Sequence, residues 1–150
     1  MATVDELAVE VLRRGGPVRI KARGASMLPF LRNGDIVAVT PTALTGVNIG
    51  DIVCYEAAAG RLFLHRAIRR DGPRIVTKGD ALSCTEVIDP AQLLGTVVAI
   101  ERRGCTKRLD SRVARWRNRA IASLSHLIPP LVSVARPVRR VLRACAAWMT

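Results

Sequence analysis

Aromatic and acidic side chains are both scarce in this chain of 150 residues. Phe, Tyr and Trp together make up 3% of it, which argues against the stacked-ring platforms that bind single-stranded nucleic acid. Asp and Glu number 12 against 24 Lys and Arg, for a net charge of +12. Residues 1–100 carry 12 basic and 10 acidic residues, whereas residues 101–150 carry 12 basic and 2 acidic. The positive charge therefore belongs to the C-terminal third.

Spacings typical of a metal site are also missing. The two histidines, His65 and His126, lie far apart in the sequence, and no two cysteines form a CxxC pair. This argues against structural zinc and against the framework of a small secreted domain. We therefore expect reduced thiols in a cytosolic setting at all four cysteines: Cys54, Cys84, Cys105 and Cys145.

The sequence also has no long apolar run. The longest uncharged run late in the chain covers residues 120–135 and is broken by Pro129 and Pro130, so it is too short for a spanning helix of about 20 residues. The first 14 residues contain three acids and no apolar segment of the secretory kind. These features predict a protein in the cytoplasm or peripheral on the cytoplasmic membrane, with no signal peptide and no clear transmembrane helix.

The chain has enough apolar residues to bury a core, since 49% of its residues are hydrophobic. Residues 4–14 predict a helix with Val4, Leu7, Ala8, Val11 and Leu12 on one face, ended by a Gly-Gly-Pro segment. About six short strands follow with turn residues between them, and no GxGxxG motif supports a dinucleotide fold. The sequence predicts a mostly β fold, a small antiparallel barrel or sandwich, with strands at 18–22, 36–39, 52–55, 62–68, 75–77 and 94–101.

After Gly104 the character changes to an Arg-rich helical tail. Residues 111–125 predict a helix with Arg112, Arg115 and Arg119 on one face, and residues 138–148 predict another. The apolar residues of the first tail helix share a separate face: Val113, Trp116, Ala120 and Leu124. We therefore divide the chain into an N-terminal helix and linker at 1–17, a β domain at 18–104 and the tail at 105–150.

Three interpretations of the tail are open. Its arginines form a solvated basic face, or residues 111–150 contact an anionic membrane surface, or they bind nucleic acid. The membrane interpretation has support from Trp116, Trp148 and the intervening apolar segment, which arginines flank on both sides. Nucleic acid is the least favoured partner, because no recognised reader motif accompanies the charge.

Three short motifs occur in order between residues 24 and 81. They read GASMLPFLRNGDIV from Gly24, LHRAI from Leu64 and TKGDA from Thr77. Together they resemble the signal peptidase I and LexA-like serine peptidase superfamily, most closely its histidine-containing branch of archaeal and endoplasmic-reticulum signal peptidases. With a second Gly-Asp-Ile-Val at 50–53, the resemblance covers roughly residues 18–100.

The resemblance implies a serine endopeptidase of the signal-peptidase and LexA-like β fold that needs no metal or organic cofactor. Ser26 would be the nucleophile, His65 the general base and Asp80 the residue that orients the imidazole, with Glu86 or Asp89 as further candidates for the third role. A serine hydroxyl needs such a base, and a histidine with a pKa of ~6.5 suits the task near neutrality. The implied substrate is an extended peptide or protein precursor, such as a leader, with small side chains near the cut.

Several further positions bear on this expectation. Many relatives carry a serine two residues before the nucleophile that donates to the oxyanion, whereas this chain has Gly24. The oxyanion hole would then depend on the Ser26 backbone N–H and a second donor that the sequence does not identify. Arg66 is expected to pair with a carboxylate or with the Gly-Asp turns, and Lys78 to be a solvated or structural lysine.

Two other classes of function compete with an active peptidase. One is a LexA-like regulatory module that cleaves only itself or is inactive. Residues 1–17 are too short for the DNA-binding domain of such proteins, and no Ala-Gly or Cys-Gly cleavage dipeptide precedes Ser26. The other is a non-catalytic binding protein that uses the β domain as a scaffold and the basic tail at a membrane surface.

Overall fold

The computed structural model describes residues 3–57 and 60–130. The helix expected over 138–148, together with Cys145 and Trp148, lies outside the described residues. A helix α1 opens the chain, eight strands follow, and a helix α2 covers Arg112–Ser123. Helix α1 covers Val4–Arg13, and the strands are β1 Val18–Lys21, β2 Ile36–Pro41, β3 Ile52–Glu56, β4 Leu62–Asp71, β5 Arg74–Lys78, β6 Thr85–Ile88, β7 Leu93–Arg102 and β8 Cys105–Arg108.

All strand pairs are antiparallel, so the expectation of a mostly β antiparallel domain is confirmed. The strands form one sheet in the order β1-β2-β7-β3-β4-β5-β6, with β8 also paired to β7. Within residues 3–57 and 60–130 no ladder joins β1 to β6, so the sheet is open. Two strands were not predicted. Strand β8 is exposed throughout and β6 at three of its four positions, so neither shows the alternation that marks a half-buried strand.

The sheet is buried on both faces where the site lies. Along β3, Ile52 and Cys54 belong to one apolar cluster, whereas Val53 and Tyr55 belong to a second cluster on the opposite face. Successive side chains of a strand point to opposite faces, which explains why this segment reads as a continuous apolar run. Burial also raises the pKa of the Cys54 thiol to about 12, with a smaller contribution from Asp5, and this keeps the thiol protonated.

Helix α1 covers one end of the first cluster. Thr3 caps it, with its side chain accepting from the Glu6 backbone while the Glu6 carboxylate accepts from the Thr3 N–H. The predicted apolar face is partly wrong, because the buried residues are Ala8, Val9 and Leu12, while Val4, Leu7 and Val11 are exposed. The helical period predicts a broad apolar stripe along the helix. Only the residues along one edge of this stripe contact the sheet, and the other apolar residues stay exposed.

Helix α2 is packed against the β domain through small side chains. Ser111 caps it, accepting from the Ala114 N–H at 3.2 Å. The buried residues are Ala114, Asn118 and Ala122, whereas the predicted apolar face with Trp116 points to solvent. No helix among the described residues is long and apolar enough to cross a bilayer.

The contact between α2 and the domain requires glycine at position 50. Gly50 has φ +101°, and a Cβ built there would lie 2.6 Å from the Arg119 nitrogen and from the Asn118 carbonyl carbon. Both atoms belong to the helix backbone, so they cannot turn aside as the end of a flexible side chain can. The turn before β3 and α2 can therefore approach this closely only when position 50 has no side chain.

We expect Gly50→Ala to lower the free energy of unfolding by roughly 3 kcal/mol, since it adds a backbone clash to the left-handed strain. Gly72→Ala is the matched control, because Gly72 also has a positive φ of +58° but an open Cβ position. Its expected cost is only ~1–2 kcal/mol, from the strain alone. Urea unfolding of both variants measures the difference, and equal losses would contradict the tight packing of α2.

Candidate active site

Ser26 lies in the turn between β1 and β2, and apolar side chains hold this turn on the first cluster. Met27 and Leu31 are both buried there. The N–H groups of Phe30 and Leu31 donate to the Met27 carbonyl at 3.1 and 3.0 Å. Ser26 itself is half-buried. The motif thus fixes the backbone on either side of the hydroxyl and leaves the hydroxyl partly accessible.

The third motif contacts the first directly. The Ala81 N–H donates to the Ser26 carbonyl at 2.8 Å. A Cβ at Gly79 would lie 2.8 Å from the same carbonyl oxygen, which is too close for any other residue without a shift. Glycine in the Thr-Lys-Gly-Asp motif is therefore explained by the close approach of the Ser26 backbone.

A groove of about 320 Å³ runs past Ser26. One wall is β1 with the residues that follow it, and the other wall is the first half of β4, from Leu62 to Leu64. Strand β1 pairs only with β2, and β4 pairs with β5 only from Arg66 onward. Each wall therefore presents a strand edge that has no strand partner within the described part of the chain.

His65 lies on β4 and is buried, with only 3% of its surface exposed. Its ring packs against both Tyr55 and Phe63, at centroid distances of 5.8 and 5.9 Å, and those two rings also stack on each other at 5.9 Å. His65 Nδ1 lies 2.8 Å from the Tyr55 hydroxyl, which in turn donates to Glu86 Oε2. A chain of hydrogen bonds therefore connects the imidazole to a carboxylate through a phenol.

These hydrogen bonds determine which tautomer His65 adopts. The phenol has one proton and donates it to Glu86, so its oxygen accepts a hydrogen bond from His65 Nδ1–H. Nε2 then carries the lone pair, as a general base toward a serine requires. The Glu86 carboxylate lies 3.6 Å from Nδ1, close enough to stabilise a protonated ring.

Burial sets the protonation states of the two rings. Desolvation lowers the pKa of His65 below its ordinary value, and the charges of Glu86 and Asp80 oppose that shift only in part. Desolvation also raises the pKa of Tyr55, and Glu86 raises it further. At neutral pH the imidazole and the phenol are therefore both uncharged.

Asp80, the predicted orienting residue, is fully buried but is paired with Arg66. Its two carboxylate oxygens accept from Arg66 Nε and Nη2 at 2.8 and 2.7 Å, and Arg66 Nη1 donates to the Gly50 carbonyl at 2.8 Å. The expectation that Arg66 pairs with a carboxylate and with a Gly-Asp turn is confirmed. Asp80 makes no hydrogen bond to the imidazole, although both residues are described, and its charge acts on His65 only through space.

Glu86 and Asp89, the two remaining candidates for the third role, differ in position. Glu86 reaches His65 through Tyr55. Asp89 is exposed just after β6, where its backbone N–H donates to Gln92. Of the three carboxylates, only Glu86 is joined to the imidazole by hydrogen bonds.

The structure does not bring Ser26 and His65 together at the groove, because Ser26 is among its lining residues and His65 is not. Along β4, Leu62 and Leu64 pack against the first cluster, and Phe63 packs against the second, so alternation directs His65 toward the second face. No hydrogen bond joins the Ser26 hydroxyl to the imidazole, although both residues are described. Contacts of this kind are often long before substrate binds.

Sequence reasoning missed Tyr55. It is the only tyrosine of the chain and lies on a strand that carries none of the three motifs. The pairing of Val53 with His65 brings β3 alongside β4, and two residues further along β3 the phenol reaches the ring. Lys78 is buried and donates to the Ser125 carbonyl, so it holds the segment that follows α2, and desolvation lowers its pKa.

Comparison with known proteins assigns no family to this chain: no family model matches it, and no curated protein matches it significantly. Among the described residues no group of three or more histidines, cysteines or carboxylates is placed to hold a metal ion.

We expect Asp80→Asn to lower the free energy of unfolding by about 3 kcal/mol, because it leaves the Arg66 charge buried without a counterion. Asp110→Asn is the matched control, since Asp110 makes the same two-point contact with Arg108 on the surface. Exposed ion pairs contribute little, so its melting temperature should hardly change. Thermal unfolding of both variants tests this, and a small effect of Asp80→Asn would contradict a structural role for the pair.

Proposed function

We propose that this protein is a serine endopeptidase with a fold of the signal-peptidase and LexA-like type, acting on an extended peptide or precursor leader. The observation that carries the proposal is the groove beside Ser26 with a free strand edge in each wall. An extended peptide can add to such edges through main-chain hydrogen bonds. A serine held at this point would meet the scissile carbonyl of the bound strand.

The lining of the groove favours small apolar side chains near the cut. Ile20, Ala22, Met27 and Leu64 contribute apolar surface. A volume of about 320 Å³ is at the lower end for a ligand site. Substrates with small residues before the scissile bond therefore fit this groove better than substrates with large aromatic residues.

The proposed reaction requires Ser26 Oγ to come within hydrogen-bond distance of His65 Nε2 when substrate binds. Ser26 Oγ then attacks the peptide carbonyl carbon while its proton passes to His65 Nε2. The C–N bond of the tetrahedral intermediate then breaks, and the imidazolium returns the proton to the departing amine. Water, deprotonated by the same imidazole, hydrolyses the acyl-enzyme and regenerates the hydroxyl. The Ser26 backbone N–H donates to no group in the described residues and is the proposed oxyanion donor.

We assign the orienting role to Glu86, acting through Tyr55, and not to Asp80. Both oxygens of Asp80 already accept from Arg66. Glu86 fixes the Nδ1–H tautomer through the phenol and places a negative charge 3.6 Å from the nitrogen. Asp80 is a positioning residue in this scheme, because it holds the segment that contacts Ser26.

We expect Ser26→Ala and His65→Ala each to reduce peptide cleavage by at least ~10³-fold, since residual activity would come from binding alone. A mixed peptide library read by mass spectrometry gives the rates without a known substrate. Ser83→Ala and His126→Ala replace exposed residues of the same types outside the groove and should cleave normally.

Cleavage at the full rate by either site variant, with its melting temperature unchanged, would refute the assignment. A loss of intact mass on incubation without peptides, abolished by Ser26→Ala, would instead identify the self-cleaving module of LexA type. An intact mass that never changes, together with no peptide cleavage by the unaltered chain, would favour the non-catalytic binding protein.

The pH dependence of kcat/KM provides a separate test. The imidazole must be neutral to act as a base, and its lowered pKa puts the acid limb below about pH 6.5. Glu86→Gln removes a charge that raises this pKa, so the limb should move to lower pH while kcat falls about 10²-fold. Asp89→Asn should change neither quantity. An acid limb that moves with Asp89→Asn and stays with Glu86→Gln would exclude Glu86 from the third role.

A further inference from the structure

The outer face of α2 combines exposed apolar side chains with arginines. Val113 is 79% exposed, Trp116 80% and Leu124 53%, and Leu127 in the turn that follows is 49% exposed. At about 100° per residue, Val113, Trp116 and Leu124 fall within an arc of about 80° around the helix axis. We call Val113, Trp116, Leu124 and Leu127 the outer stripe.

The packing of α2 fixes the direction of the outer stripe. The opposite side of the helix, with Ala114, Asn118 and Ala122, is buried on the domain, and the helix backbone touches Gly50. Lys78 holds the turn after the helix through the Ser125 carbonyl. The apolar residues therefore cannot turn inward, and the domain presents them to an external partner.

Positive charge lies along one side of the outer stripe. Four arginines line a recess of about 420 Å³ beside Trp116, and residues 111–130 contain no acid: the four are Arg70, Arg112, Arg115 and Arg119. The acid that precedes the helix, Asp110, is neutralised by Arg108 at 2.5 Å. The face thus has apolar side chains at its centre and unopposed guanidinium groups at its border.

We propose that the outer stripe of α2 and its bordering arginines form a docking surface for an anionic lipid bilayer. Tryptophan and aliphatic side chains enter the boundary between head groups and acyl chains, while arginines bind lipid phosphates. The proposal is independent of the peptidase activity, because none of these residues lines the groove beside Ser26.

Charge argues against the other occupants of this face. A second copy docked face to face would bring two sets of arginines together. The chain segment 131–150 carries four arginines and no acid, so it has the same sign as the surface it would cover. Nucleic acid would satisfy the arginines but would leave the aliphatic side chains without an apolar partner.

The test is flotation of the full chain with phosphatidylcholine vesicles that contain 0 or about 30% phosphatidylglycerol. We expect binding only to the anionic vesicles. Replacing Arg112, Arg115 and Arg119 with Gln should weaken it about a hundredfold, as each surface cation contributes roughly a factor of five. The matched control replaces Arg69, Arg103 and Lys107, which are exposed elsewhere, with Gln and lowers the net charge equally. It should bind within a fewfold of the unaltered chain.

Trp116 supplies a direct readout in the Trp148→Phe chain, where it is the only tryptophan. Its fluorescence should shift to the blue with anionic vesicles, and Leu124→Ser should weaken binding severalfold. Equal loss in the two triple variants would overturn the proposal, since net charge alone would then explain binding. No shift at Trp116, or a concentration-dependent dimer abolished by Trp116→Ala without vesicle binding, would also overturn it.

Discussion

The buried pair of Arg66 and Asp80 is the interaction on which the rest of the site depends. Removing two charges from water is costly, and only full hydrogen bonding offsets that cost. Arg66 achieves this with both oxygens of Asp80 and with the Gly50 carbonyl, and its guanidinium lies 5.5 Å from the ring centroid of Phe30. The arginine of the second motif thus contacts the first motif, the third motif and the second Gly-Asp turn.

The pair also positions groups that it does not touch. Asp80 holds the turn whose next residue, Ala81, donates to the Ser26 carbonyl. Gly50, on the other side of Arg66, accepts the close approach of α2. One arginine therefore connects the segment that contacts Ser26 to the turn at Gly50 against which α2 packs.

Asp80 and Glu86 differ in burial, and they therefore have different roles in the proposed site. Asp80 is fully enclosed and is neutralised by Arg66, whereas Glu86 is half-exposed and shares a proton network with Tyr55 and His65. In the proposed reaction, Asp80 thus has a structural role through Arg66, and Glu86 has a functional role through Tyr55 and His65. Each can hold its charge without competing for the same hydrogen-bond donors.

The local patterns of the sequence determined the antiparallel β class, six of the eight strands and both described helices, because alternation, capping and turn residues act over a few neighbours. The candidates Ser26 and His65 came instead from the resemblance of three short motifs to a peptidase superfamily. Tertiary structure alone decided which side of each helix is buried, that Asp80 goes to Arg66, and that Tyr55 connects His65 to Glu86. These outcomes depend on strand register and on the close approach of backbones at Gly50 and Gly79. Such contacts join residues far apart in the chain, and no local periodicity records them.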